Sequence, residues 1–151
     1  MELFDLIAWI ETKNNPEGIR FEPATYLRLT TGVMTPMHTV ICQKIMDIHQ
    51  CSLHTAQIIF CSSFGAIQLM GFNLYGTCHY DRSIVHFMTN VDDQQNVFNS
   101  FLRAIKLDHY SITDLQSNNS ARLDFSMKYK GSIAYREPMM DALRHFGFDP
   151  S

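Results

Sequence analysis

Cys61-Ser62-Ser63-Phe64-Gly65-Ala66-Ile67-Gln68-Leu69-Met70-Gly71-Phe72-Asn73 is the most unusual stretch of the chain, with small residues giving way to large apolar ones between two glycines. It reads as a tight turn entering a short buried helix. The apolar run that contains it, Ile58 to Met70, is interrupted by Ser62, Ser63, Gly65 and Gln68, so it is too short and too polar to span a bilayer.

Outward from this stretch the pattern is helical. Upstream, Leu3, Phe4, Ile7, Ile10 and Glu11 fall at three- and four-residue steps, which predicts a first helix over about 2–13 with these residues on one stripe. Asn14, Asn15, Pro16 and Gly18 end it. Phe21-Glu22-Pro23 reads as extended, and Tyr26 to Leu29 as a turn of helix. Thr35-Pro36 is a cap and first-turn pair opening a helix to about His49, and Ser52 caps the next, from Leu53 to about Cys61. Downstream, Asp81 is expected to cap a helix through Thr89, and Asp92 and Asp93 to start a longer one carrying Val97, Phe98, Phe101, Leu102 and Ile105. Ser120 is expected to cap a helix from Ala121 to Tyr129 that Gly131 stops, and Pro138 to open the last, ending near Phe146. The expected fold class is all-α, with a very short β excursion near residues 18–23.

The chain has 151 residues, 46% of them hydrophobic, which predicts a single domain over 1–151 around one core. Twelve Lys and Arg against fifteen Asp and Glu, with no block of like charge, argue against nucleic acid as a partner. MELFDLIAWIE has no basic region before its apolar residues and no small-residue cleavage site, so no secretory signal is legible. The four cysteines, Cys42, Cys51, Cys61 and Cys78, read as buried thiols rather than a disulfide framework, because a chain this long folds without staples. His49, Cys51 and His54 are close in sequence but match no closed four-ligand metal site, and no dinucleotide or phosphate-binding fingerprint is present. No metal and no cofactor are expected.

Glu11 stands at the end of the apolar stripe of the first helix, in its last turn. Apolar surroundings and the negative end of a helix both penalise an ionised carboxyl, which suits a proton donor. Taken alone it is equally an ordinary boundary glutamate with its stem on the core and its head in water.

What promotes Glu11 is a resemblance. Ser63-Phe64-Gly65-Ala66-Ile67-Gln68-Leu69-Met70-Gly71-Phe72-Asn73 closely resembles the S-[WF]-G-x-x-Q-[IL]-M-G-F-N signature of phage N-acetylmuramidase (endolysin) domains of the lysozyme superfamily. Leu6 to Thr12 is similar to the helix that carries that family's catalytic Glu, and Phe21-Glu22 with Tyr26 to Thr30 to its F-E-x-x-x-[FY]-x-R-L-T segment. Met127 to Gly131 falls where the family has [RK]-x-Y-N-G, so the likeness covers nearly the whole chain, and its layout is also that of goose-type lysozymes and soluble lytic transglycosylases. Two departures stand out: Thr12 replaces a Ser, and Lys130 replaces the Asn of Y-N-G.

The resemblance implies a lysozyme-like enzyme that cuts the β-1,4 bond between N-acetylmuramic acid and N-acetylglucosamine in bacterial peptidoglycan, with Glu11 as general acid. It implies a cleft lined by Gly65, Gln68, Met70, Asn73 and Tyr129. Glu22 has three roles open to it: base for an attacking water, partner orienting Glu11, or structural bridge to an Arg such as Arg28. Gln68 is either a sugar-binding amide or a buried amide satisfied by nearby backbone, and Tyr129 either donates near Glu11 or is a core-edge ring. Hydrolysis and lytic transglycosylation both remain open. The rival expectation is a catalytically silent wall-binding or virion module on the same fold. Without a signal, delivery to the periplasm or wall would rest on a phage holin or on carriage in the virion.

Overall fold

A computed structural model describes residues 1–150. Among the described residues the architecture is mostly α, with a three-stranded antiparallel sheet set into it. No helix among them is long and apolar enough to cross a membrane.

Helix α1 (Leu3–Thr12) buries Phe4, Leu6, Ile7 and Ala8. Each large side chain so buried stabilises the fold by about 1.5–3 kcal/mol. Asp5 accepts the Glu2 N–H at 2.8 Å at the helix start, and Lys13 and Asn14 end the helix in the left-handed region, φ 55° and 63°. Strand β1 (Ile19–Phe21) confirms the short β excursion. Helix α2 (Pro23–Thr31) is longer than the single turn expected, because Pro23 at its first position has a backbone angle already set for a helix.

Helix α3 (Pro36–His49) and helix α4 (Leu53–Phe60) begin where expected, with Thr35 accepting the His38 N–H and Ser52 that of Thr55. The stretch that follows is not a turn into a buried helix. It is a hairpin, β2 (Ser62–Phe64) and β3 (Leu69–Met70), and only then comes a π-helical turn, Asn73–Thr77. Strand β2 is central, pairing Ile19 with Phe64 and Phe21 with Ser62 on one side and Ser63 with Met70 on the other. Its three residues are all buried, so no inside-outside alternation betrays the strand.

Helix α5 (Ile84–Met88) is capped by Ser83, not Asp81, and α6 (Val91–Ala104) by Asn90, with Asp92 and Asp93 in its first turn. Helix α7 (Ile112–Ser117) was not legible: it is six residues long with only Leu115 buried, and a reciprocal Ser111–Asp114 capping box holds its start. Helix α8 (Asn119–Lys130) starts earlier than expected because Asn118, not Ser120, caps it, and Gly131 at φ 69° ends it. A 3-10 turn (Ile133–Tyr135) leads into α9 (Arg136–His145), where Pro138 sits inside the first turn.

One hydrophobic cluster runs through α1, α3, α4, the hairpin, α6, α8 and α9. All four cysteines are free thiols, and burial pushes Cys61 up to about 11 and Cys78 up to about 12, which suppresses thiolate chemistry.

Candidate active site

Glu11 lies in the last turn of α1, its side chain only 16% exposed. Two donors converge on one of its oxygens. Tyr135 donates its hydroxyl to Oε1 at 3.0 Å, and the Lys130 ammonium pairs with the same atom at 2.6 Å. No hydrogen bond to Oε2 is present among the described residues, and that oxygen is not fully buried.

Lys130 is held from below as well. Its Nζ lies 5.4 Å from the centre of the Tyr129 ring and 5.6 Å from that of Tyr135, a cation over two aromatic faces. Tyr129 in turn stacks on Phe125 and packs beside Phe101 and Phe98. Burial drives the phenols of both tyrosines far above the ordinary tyrosine range, and the nearby Glu11 charge adds to it. Tyr135 therefore remains a protonated donor at any working pH. The hydroxyl on Glu11 belongs to Tyr135; Tyr129 stands behind it as part of the aromatic floor.

The end of α1 is fastened to the hairpin. The Thr12 hydroxyl donates to the Ala66 carbonyl at 2.8 Å and accepts the Asn15 N–H at 2.9 Å, so the Thr that replaces Ser keeps a working hydroxyl. The hairpin turn is itself pinned: Gly65 N–H donates to the Gly18 carbonyl at 2.9 Å. Gln68, at φ 54°, has both ends of its amide engaged inside the turn, accepting from Ser63 Oγ at 2.8 Å and donating to the Gly65 carbonyl at 3.0 Å. Gly65, at φ 82°, leaves room for protein atoms: a Cβ there would meet Gln94 Oε1 and the Phe87 ring, both at 2.8 Å.

Glu11, Gly65, Gln68 and Tyr129 thus gather around the end of α1 and the hairpin turn. Met70 belongs to the same hairpin, paired with Ser63, and Glu22 and Asn73 stand on neighbouring elements. Glu22 heads α2, its carboxylate 2.9 Å from Arg20 Nε; the arginine that bridges it is Arg20, while Arg28 reaches Thr25. Met70 is half-buried in β3, and Asn73 forms part of the wall of a 440 Å³ groove with Leu29, Val33, Met37, His38 and Phe72.

Three contributors escaped the sequence reading. Gln94 is wholly buried on α6; its Oε1 accepts the Ala66 N–H at 2.9 Å, and its Nε2 donates to the carbonyls of Pro16 and Phe87, each at 3.0 Å. A signal for it existed, since Gln94 precedes Val97, Phe98 and Phe101 on the apolar stripe of α6, where a polar residue has to find buried partners. Lys130 was visible only as a departure from a motif. Tyr135 carried no sequence signal. The His49, Cys51 and His54 trio is dispersed: His49 bonds the Ile45 carbonyl and the Ile84 N–H, while His54 meets the Tyr26 hydroxyl. No group of three metal-capable side chains comes together among the described residues.

A mostly helical chain, carrying a small hairpin sheet beside a helix that ends in a shielded carboxylate, has a lysozyme-like fold. The chain is 38% identical over 146 residues to a protein named endolysin from Enterobacteria phage PRD1, covering 96% of either sequence, and it belongs to that phage endolysin family. No protein-family model matches it, and no solved structure does.

Proposed function

We propose that this protein is a peptidoglycan-cleaving glycosidase, a muramidase that cuts the β-1,4 bond between N-acetylmuramic acid and N-acetylglucosamine as one catalytic domain. The observation that carries the reading is the setting of Glu11, a shielded carboxylate with one oxygen fixed by two donors and the other open. Kinship with an endolysin supports the bacterial wall as substrate.

In this reading Glu11 gives a proton from Oε2 to the leaving glycosidic oxygen. The C1–O bond breaks with its electron pair on that oxygen, and positive charge develops at C1. Water then adds at C1 to complete a hydrolysis, or the muramic C6 hydroxyl adds there and closes a 1,6-anhydro ring; in either case the proton lost from the attacking oxygen returns to the Glu11 carboxylate. Arg20 already engages Glu22, which weighs toward the substrate's own groups rather than a second carboxylate. Mass spectrometry of digested sacculi separates the outcomes by reducing or anhydro ends. As a phage-encoded enzyme it would reach the periplasm and wall through a holin or with the virion.

Glu11→Gln keeps the shape and removes the acid. It is expected to lower clearing of purified sacculi by about a hundredfold or more while melting at the parental temperature; parental clearing would overturn the assignment. A second reading, a silent wall-binding module, has one observation behind it, the ammonium seated on Glu11. Zymography divides the two, since a silent module retains sacculi without lysing them.

A further inference from the structure

We infer that Lys130 is a positioning residue for this reaction: with Tyr135 it fixes Oε1 of Glu11, leaves Oε2 to face the scissile bond, and stabilises the carboxylate that proton transfer leaves behind. The inference rests on Glu11 being the acid.

Several observations separate this pair from an ordinary surface salt bridge, which contributes little because both side chains wander in water. Lys130 is the last residue of α8, and Gly131 breaks the helix immediately after it. The ammonium is therefore near a helix C-terminus, where positive charge is favoured, and the two tyrosine rings beneath it limit where it can go. Only a third of the Lys130 side chain is exposed and 16% of that of Glu11. Tyr135 and Lys130 both hold Oε1, which anchors one oxygen of the carboxyl group and leaves the other for proton delivery.

The charges around Glu11 are few. Lys130 and Tyr129 face it from α8, and Tyr135 faces it from the 3-10 turn. On α9, His145 is stacked over Trp9 at 3.8 Å, and on the β1 side Arg20 is occupied by Glu22. Lys130 is thus the one cation paired with Glu11 among the described residues. A cation there favours the charge that proton transfer leaves on the carboxylate. Removing that charge changes how the rate depends on pH, which loss of a purely structural lysine does not.

The test compares parental protein with Lys130→Met, which keeps most of the stem and loses the charge, and with Lys130→Arg, which keeps the charge. Clearing of purified sacculi is measured from about pH 5 to about pH 8 at constant ionic strength. Each rate is divided by the parental rate at the same pH, so titration of the wall cancels. Lys130→Met is expected to be slower than parental at low pH, with the ratio of the two rates climbing about tenfold across the range because the charge beside Glu11 is gone. Lys130→Arg is expected to keep the parental pH dependence. A pH-independent ratio for Lys130→Met overturns the inference, and so does an Arg variant that shifts with Met. If the Met variant is inert at every pH, the Arg variant decides: a parental pH dependence supports the role and an inert Arg overturns it. Failure of the acid assignment is distinguishable, because only then does Glu11→Gln retain clearing.

Discussion

Two segments of the chain are built on opposite plans. From Cys61 to Gly71 every residue is buried except the half-buried Gln68 and Met70, whereas from Phe21 to Val40 only Leu29 is buried. The hairpin corner has its polar groups paired internally, through Gln94 to Ala66, Pro16 and Phe87, and through Thr12 to Ala66. The α2–α3 segment instead presents Leu27, Val33, Met37 and Val40 to solvent. Rigidity sits at the hairpin corner to which the end of α1 is fastened, and the α2–α3 segment is the more exposed of the two.

That contrast breaks most sharply at Gln94. Gln94→Leu retains the volume but leaves the Ala66 N–H and the Pro16 carbonyl without this partner, and the Phe87 carbonyl with the Asn90 N–H alone, and is expected to cost about 3 kcal/mol in denaturant unfolding. If instead it unfolds like the parent, the corner is not held by its polar network. Gly65→Ala tests packing at the same corner. A methyl there meets Gln94 and Phe87 at a backbone angle that disfavours it, and the expected loss is about 2 kcal/mol by the same measurement. Val33→Ser addresses the other segment, where a residue 96% exposed should change stability by less than about 0.5 kcal/mol. A large loss at Val33 would mean that the segment is packed more firmly than its exposure implies.

The sequence made legible what has a period or a cap. Helices α1, α3 and α4 follow from apolar steps and from Thr35-Pro36 and Ser52, and the Phe-rich stripe of α6 announces itself. The hairpin was misread because a three-residue buried strand offers no alternation, and α7 was missed because six residues with one buried side chain offer no stripe. At the candidate site, Glu11 and the hairpin turn were found through motif spacing. Tyr135 was not, since in the three-residue 3-10 turn that carries it only this ring is even partly buried, which leaves no pattern. Lys130 was seen as a substitution, but its partner lies 119 positions away in the chain, a distance across which local pattern says nothing.

Gly71 carries one more consequence. The space where its Cβ would go is filled by the Ile59 carbonyl and by Phe60 Cα, backbone atoms at the end of α4 that no rotamer change can move. Its backbone angle is not left-handed, so the constraint is one of room alone. Position 71 therefore has a vocabulary of one letter, and the contact between the end of α4 and the residue after β3 cannot drift by small steps. Diversity among relatives should collect in the α2–α3 wall, and reshaping of the groove by mutation or by selection would have to be carried out from that side.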